Sequence, residues 1–191
     1  MYRDIKILMI GLMFFLGVPE LGYSLTKDSV TMPETIKVDG HTLVLNGMGT
    51  RKATFFKVKV YVAGLYLEAH SKNPTEILNS DQLKRIDMQF VRNAPAEKIS
   101  QAWEDSFKVN CKTGCEELRP SLEKLKASMV EMKSDDRMIF TFYPDALELQ
   151  VKGKAAERIE GKELQKVILG SWLGPNPPNE DLKEGLLGIE S

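Results

Sequence analysis

The stretch from Phe55 to Leu67 constrains the fold of this 191-residue chain more than any other. It reads FFKVKVYVAGLYL, a run rich in the β-branched and aromatic residues that are typical of a strand. Alternation with a period of two divides the run into two faces. One face carries Phe56, Val58, Val60 and Val62, and the other carries Lys57, Lys59, Tyr61 and Ala63. We therefore expect a strand with one face in a hydrophobic core.

Two short β-prone segments precede this strand and follow a polar leader. Thr35 to Val38 and Thr42 to Leu45 are joined by Asp39-Gly40, a pair that suits a tight hairpin turn. The glycine-rich segment from Asn46 to Thr50 predicts a second turn.

The rest of the chain alternates between groups of helices and groups of strands. Amphipathic spacing predicts helices from Ala94 to about Asn110 and from about Glu116 through Met129. Two more helices, from about Lys162 to Leu173 and from about Asn179 to Leu187, are predicted on either side of a proline-rich break, and a short one at Thr75–Asn79. Further strands are predicted at Arg85–Val91, Met138–Phe142, Ala146–Val151 and Ala155–Ile159. This order indicates an α+β domain with a mainly antiparallel sheet covered by helices.

The N-terminus has the layout of a secretory signal peptide. Arg3 and Lys6 precede an uncharged apolar run at residues 7–18, and small residues follow as far as Ser24. The run is shorter than the roughly 20 residues of a membrane span, which disfavours the alternative of an anchor. We expect cleavage after Ser24, a mature domain at residues 25–191, and a periplasmic or secreted location without stable membrane insertion.

Charge and motifs exclude several classes of function. The formal net charge is −1 and stays there without the leader, so no basic field is available for nucleic acid. His41 and His70 do not have the spacing of metal ligands, which predicts no metal site. No phosphate-binding loop or dinucleotide fingerprint is present, and we expect no cofactor.

The two cysteines, Cys111 and Cys115, are four residues apart. In an oxidising compartment this spacing favours a disulfide that closes a turn between two helices. Free thiols are the alternative, and a catalytic dithiol would prefer two intervening residues rather than three.

Three segments of the chain resemble one known family. NGMGTRKATFFKVKVYVAGLYLE, AWEDSFKVNC and GSWLGPNPPNEDLKEGLLG are similar to the chalcone isomerase-like family, in particular its exported bacterial members. The resemblance covers roughly residues 34–188. It implies an open-faced β-sandwich, in which helices are layered on a large antiparallel sheet. Plant members close a chalcone to a flavanone, whereas plastid relatives bind fatty acids without that chemistry.

The resemblance also implies a site. Its arginine and asparagine are kept as Arg51 and Asn110, and a threonine is replaced by Ser171. The threonine and tyrosine whose hydroxyls serve the isomerase reaction are replaced by Tyr61 and Trp103. Since an indole donates a hydrogen bond but cannot exchange a proton as a phenol does, these replacements argue against chalcone isomerisation.

Arginine beside a phenol is a good receptor for a carboxylate, and the fatty-acid-binding relatives pair these two residues in a similar way. We therefore expect Arg51 and Tyr61 to hold the head group of a small amphipathic acid, such as a fatty acid, between apolar walls formed by Ile99, Trp103 and Phe107. The expected function is non-catalytic binding.

Other interpretations stay open at this point. An isomerase or intramolecular lyase would act on an unsaturated carbonyl compound through Arg51, Asn110 and Ser171. A structural or envelope-assembly protein would have a vestigial cleft.

Each residue also has a simpler role: an ion pair for Arg51, sheet packing for Tyr61, core packing for Trp103, a helix C-cap for Asn110, a bond to its own helix for Ser171, and solvated positions for Lys57 and Lys59.

Overall fold

The computed structural model of the chain describes residues 23–189. Nearly all of the predicted signal peptide, residues 1–24, lies outside the described residues, so it stays a prediction. Within the described part, the strands are β1 (Ser24–Lys27), β2 (Val30–Pro33), β3 (Thr35–Val38), β4 (His41–Ala53), β5 (Val58–Leu67), β6 (Lys84–Phe90), β7 (Arg137–Phe142), β8 (Ala146–Val151) and β9 (Glu157–Glu160). The helices are α1 (Pro74–Asn79), α2 (Ala96–Asn110), α3 (Cys115–Ala127), α4 (Lys162–Leu173) and α5 (Glu180–Leu186).

Strands β3 to β9 form one seven-stranded sheet in chain order, and every neighbouring pair is antiparallel. The sheet is curled, and helices α2 to α5 pack on one face over the larger hydrophobic core. The predicted α+β class and the antiparallel sheet covered by helices are confirmed. None of the helices within residues 23–189 is both long and apolar enough to cross a membrane.

A small hairpin of β1 and β2 covers the opposite face of the sheet. Val30 and Met32 point inward and complete a second core with Val62 and Tyr66 of β5. The sequence predicts only a polar leader here, because only alternate residues of one four-residue strand are apolar and buried. The hairpin therefore covers part of the second face of the large sheet.

The predicted turn at residues 46–50 is wrong, because β4 continues through it as far as Ala53. A bulge at Asn46 shifts the register of β4 against β5. The glycines serve helix packing instead: α5 lies directly on the β4 backbone, and a Cβ at Gly47 or Gly49 would collide with the backbone of α5. Asn46 donates hydrogen bonds to the carbonyls of Ser71 and Leu186, which fixes the bulge.

The strand predicted from Phe55 begins at Val58 in the structure, since Phe55 and Phe56 form the turn between β4 and β5. Arg51 pairs with Tyr61 while Lys52 pairs with Lys59, so Val60 is an extra, bulged residue. The predicted alternation therefore fails around Val60. The Lys59 ammonium binds Asp28 on the β1–β2 side, whereas Tyr61 faces the helices.

Helices α2 and α3 form an antiparallel pair closed by the Cys111–Cys115 disulfide, as the cysteine spacing predicts. The predicted range of α4 is confirmed at both ends, and α1 begins after Asn73, whose side chain accepts hydrogen bonds from two backbone amides of the first turn. Asn179, just before α5, bonds to the backbone of Thr50 and Lys52. These two hydrogen bonds connect the loop after α4 to the end of β4.

Candidate functional site

A cavity of about 500 Å³ lies between helix α2, the loop after α4, and the ends of β4 and β5 that adjoin the turn between these two strands. Its wall is mostly apolar, and we call the part formed by Arg51 and Tyr61 its polar end. The residues that line it are Arg51, Ala53, Val60, Tyr61, Met88, Phe90, Ala94, Lys98, Ile99, Ala102, Trp103, Asp105, Ser106, Val109, Met138, Ser171, Trp172, Asn176 and Pro178. Four of the five residues predicted for the site, Arg51, Tyr61, Trp103 and Ser171, therefore meet at one cavity. A cleft filled by its own side chains does not fit a cavity of this size.

Arg51 projects into the cavity from the third-last position of β4. It is half-buried, and its Nη1 donates a hydrogen bond to the carbonyl of Lys52. Among residues 23–189 no carboxylate lies within 4.0 Å of its guanidinium. The alternative of a surface ion pair is therefore not seen in the described part of the chain, and the remaining N–H donors face the cavity without a carboxylate partner there.

Tyr61 stands opposite Arg51 in the β4–β5 register. The indole Nε1 of Trp172 donates a hydrogen bond of 3.1 Å to its hydroxyl oxygen, and its ring packs against Phe90 with centroids 5.7 Å apart. Burial raises the pKa of the Tyr61 hydroxyl, although the Trp172 bond and the Arg51 charge act in the opposite direction. The phenol is thus neutral near pH 7, and since its oxygen already accepts from Trp172, its own proton is oriented away from the indole.

Two aromatic rings form the floor of the cavity, and a third supports them from below. Trp103 and Trp172 have ring centroids 5.4 Å apart, and Phe140 lies beneath both at 5.2 and 5.3 Å. Trp103 is only 7% exposed, so it is a core residue and a cavity wall at the same time. Edge-to-face packing of this kind fixes the orientation of the rings and gives the floor a rigid shape.

A pair of hydroxyl groups adjoins the aromatic floor. The Oγ atoms of Ser106 and Ser171 are 2.7 Å apart, and both residues line the cavity. Ser171 also bonds to the carbonyl of Val167 in its own helix, at 3.4 Å. Ser106 matches none of the family's site positions, so it is not among the residues predicted for the site.

Asn110 does not line the cavity, contrary to the expectation. Its amide nitrogen donates to the carbonyl oxygen of Ser106 at 3.0 Å and to the Ser106 hydroxyl at 3.1 Å, so the side chain bonds within the last turn of its own helix. The C-cap of this helix is Cys111. Val109, directly before it, lines the cavity, whereas the Asn110 side chain turns to Ser106 in its own helix. Its Oδ1 is buried with no hydrogen-bond partner among residues 23–189.

Phe107 is a second correction, because it is buried outside the cavity. Its ring lies under the guanidinium of Arg119, 5.3 Å from the centroid, between α2 and α3. Ile99 and Trp103 do line the cavity, as expected. Phe107, eight positions after Ile99, is rotated by about 80° around the helix axis, because four residues exceed one helical turn, and its ring meets Arg119 of α3.

The open side of the cavity follows an exposed stripe of α2 whose residues are not among those predicted for the site. Lys98, Ala102, Asp105 and Val109 line the cavity, and all four are exposed. Their spacing of three to four residues places them on one helix face, next to the buried stripe. Pro178 of the loop after α4 is exposed on the same side. The mouth therefore opens between α2, this loop and the β4–β5 hairpin.

Metal-ligand geometry is not found at the cavity or elsewhere in residues 23–189, where no group of three or more histidine, cysteine, aspartate and glutamate side chains is placed to hold an ion. The available chemistry at the polar end is hydrogen-bond donation from a guanidinium and a phenol.

Comparisons with known proteins agree with this architecture. The family model described as chalcone isomerase-like matches residues 24–188. Among solved structures, a fatty-acid binding protein from Arabidopsis thaliana superposes with a TM-score of 0.70 at 16% identity, covering 86% of this chain and 96% of that one. This likeness shows a shared fold. No curated protein sequence matches the chain. With a family match over nearly all of the described residues, the chain belongs to the chalcone isomerase-like family.

Proposed function

We propose that this protein is an exported, non-catalytic binder of a small amphipathic acid such as a fatty acid, with the carboxylate held by Arg51 and Tyr61. The observation that carries the proposal is the polar end of the cavity. There an arginine without a carboxylate partner in the described part of the chain stands opposite a phenol whose oxygen already accepts a hydrogen bond from Trp172.

A carboxylate suits this pair of donors better than a neutral carbonyl does. The guanidinium presents parallel N–H groups that match the two oxygens of a carboxylate, and charge-assisted bonds of this kind are about twice as strong as neutral ones. The Tyr61 hydroxyl adds a third donor. Because Trp172 fixes the phenol oxygen, this donor is oriented before the ligand arrives.

The rest of the cavity suits an apolar tail. Most of its wall beyond the polar end is formed by aliphatic, thioether and aromatic side chains, among them Val60, Met88, Ile99 and Met138. A volume of about 500 Å³ falls in the usual range for small-molecule sites. The shared fold with a fatty-acid binding protein supports the same class of ligand.

The isomerase alternative gains no support from the geometry. It needs Arg51, Asn110 and Ser171 around one substrate, and Asn110 lies outside the cavity, bonded to Ser106. Burial also raises the pKa of the Tyr61 hydroxyl, which makes it a weaker acid. Both observations favour binding over proton transfer.

The experiment is native mass spectrometry of protein purified without delipidation, followed by calorimetric titration of the delipidated protein with oleate and with methyl oleate. We expect a co-purifying acid, and a rise in unfolding temperature with oleate concentration, because a ligand that binds only the folded state stabilises it. Arg51→Ala should weaken oleate binding at least about tenfold, as expected for loss of a charged hydrogen-bond donor, and should not alter the weaker binding of the ester.

Arg92 provides the matched control, since it is an exposed arginine outside the cavity. Arg92→Ala should bind oleate like the wild type. The proposal fails if no acid co-purifies and oleate does not bind, or if Arg51→Ala retains wild-type affinity.

A further inference from the structure

Two phenylalanines stand in solvent at the turn between β4 and β5. Phe55 is 94% exposed and Phe56 is 84% exposed. We call residues 54–57 the hairpin tip. Isolated exposed apolar side chains are common, but two adjacent, almost fully exposed phenylalanines at the end of a hairpin are not explained by the core of the molecule and mark a surface that contacts something else.

The hairpin tip has a defined shape. The backbone amide of Lys57 donates to the carbonyl of Thr54 at 3.1 Å, and both residues have positive φ angles, 51° and 63°. Such a turn directs the intervening side chains away from the sheet. The rings of Phe55 and Phe56 contact each other edge to face, with centroids 5.9 Å apart. They therefore project together as one apolar wedge.

The charge next to this wedge is positive. From Arg51 to Val60 the sequence contains four cationic residues and no carboxylate. Lys52 is paired with Asp181, at 2.6 Å, and Lys59 with Asp28. Lys57, within the tip, has no carboxylate within 4.0 Å among residues 23–189. An apolar wedge with an adjacent ammonium group matches the interface of a bilayer, where rings enter the acyl boundary and cations meet anionic head groups.

The wedge is also adjacent to the cavity mouth. Ala53 and Val60 flank the hairpin tip in sequence, and both line the cavity. Across the mouth, Val109 of α2 is 46% exposed and lines the same opening. A bilayer in contact with the tip would therefore face the opening, and a lipophilic ligand could pass between bilayer and cavity without crossing open water.

We propose that the hairpin tip, through Phe55, Phe56 and Lys57, docks this protein on the surface of an anionic phospholipid bilayer. The purpose of the docking, exchange of the ligand with the membrane, rests on the proposed function. The docking itself does not, and it is measured without any added acid.

The experiment is co-sedimentation of the delipidated protein with phosphatidylcholine vesicles, with and without phosphatidylglycerol. We expect the wild type to bind the vesicles that contain phosphatidylglycerol, and binding to weaken as salt is added. Phe55→Ser with Phe56→Ser should reduce this binding by about tenfold or more, because both apolar side chains that would enter the interface are removed. Lys57→Gln should reduce binding only to the anionic vesicles.

Leu25→Ser is the matched control, since Leu25 is an exposed apolar residue on β1, 51% exposed and outside the cavity wall. It should leave vesicle binding unchanged. The proposal is overturned if the wild type stays in the supernatant with every vesicle, which would assign the two rings to a protein partner, or if the double variant sediments like the wild type.

The two proposals fail independently in this design. The double variant at the tip should still bind oleate in solution with wild-type affinity, which also reports that it is folded. Arg51→Ala should still sediment with anionic vesicles. If the wild type bound the anionic vesicles but not oleate, the result would contradict the proposed ligand and would still support the docking surface.

Discussion

The hydrogen bond from Trp172 decides what Tyr61 can do for a ligand. A hydroxyl in an apolar cavity can turn to donate or to accept, but the indole N–H, at 3.1 Å, occupies the phenol oxygen as a donor. The phenol proton is then the group left to present. Within residues 23–189 no acceptor for it lies in hydrogen-bond range, so a ligand oxygen would complete the geometry.

Tyr61→Phe should weaken oleate binding about three- to tenfold, the usual effect of removing one neutral hydrogen-bond donor, without a change in the fold. Calorimetric titration of the delipidated variant would measure this. Tyr143→Phe is the control, because the Tyr143 hydroxyl binds Asp39 and Glu148 away from the cavity. Equal affinities for the two variants would contradict the role given to Tyr61.

At the residue scale, sequence reasoning located the cavity through the positions shared with the family. Arg51, Tyr61, Trp103 and Ser171 line it together. Ser106 and Trp172 were not predicted as site residues, because nothing in their local sequence distinguishes a serine or tryptophan that faces a cavity from one in a core. The error at Asn110 arose because helical spacing does not show which partner a side chain binds, and here the amide bonds to Ser106 of its own helix.

At the scale of elements, the contact between β4 and α5 depends on missing side chains. Gly47, Gly49 and Gly185 bring the helix backbone onto the strand backbone, and a Cβ at Gly49 would meet the carbonyl oxygen of Leu182 and stand 2.9 Å from its carbonyl carbon. Since backbone atoms cannot rotate away as a side chain can, relief would require the whole helix to shift. The loop before α5 lines the cavity through Pro178, so this packing also positions one side of the mouth.

Gly49→Ala should therefore destabilise the protein by about 1–3 kcal/mol, the typical cost of overpacking. Gly170→Ala is the matched control: Gly170 lies inside α4 and its added Cβ would meet nothing within 4 Å, so it should be neutral or stabilise by about 0.5–1 kcal/mol. Chemical denaturation would measure both. A Gly49→Ala protein as stable as the wild type would show that the two backbones are not in tight contact.

The same glycines explain why one element was misjudged from sequence. A glycine-rich segment indicates a turn when only local conformation is considered, whereas here close approach of a helix from far along the chain requires it. The bulges at Asn46 and Val60 likewise depend on neighbouring strands and have no local signal. Helix α4 and strand β8, whose apolar patterns are regular, were predicted with their observed bounds.

At the scale of the whole molecule, the helix pair α2–α3 supports the outer wall of the cavity. The Cys111–Cys115 disulfide closes its turn, and Glu104 joins the two helices along their length. The Glu104 carboxylate accepts hydrogen bonds from Lys126, at 2.9 Å, and from Arg119, at 2.8 Å. These two bonds lower the pKa of Glu104 from 4.5 to about 2, and the bond from Lys126 has the larger effect.

This shift predicts how acid affects the fold. A carboxyl group whose folded pKa lies below its unfolded value stabilises the protein fully above the unfolded pKa and loses that contribution as pH falls towards the folded pKa. For Glu104 the loss runs from about pH 4.5 down to about pH 2. Glu104 is close to solvent, so screening keeps the contribution modest and salt should reduce it.

Glu104→Gln should therefore be less stable than the wild type at pH 7, and the gap between the two should narrow as pH falls through this window, because the wild-type carboxylate is protonated there. Free energies of unfolding from denaturant titrations at several pH values would measure the gap. Glu131→Gln, which removes an exposed carboxylate without an ion pair among residues 23–189, should differ little from the wild type throughout. A gap for Glu104→Gln that stays constant down to pH 2 would mean that the variant acts by altered packing, and that the charge of Glu104 does not hold α2 against α3.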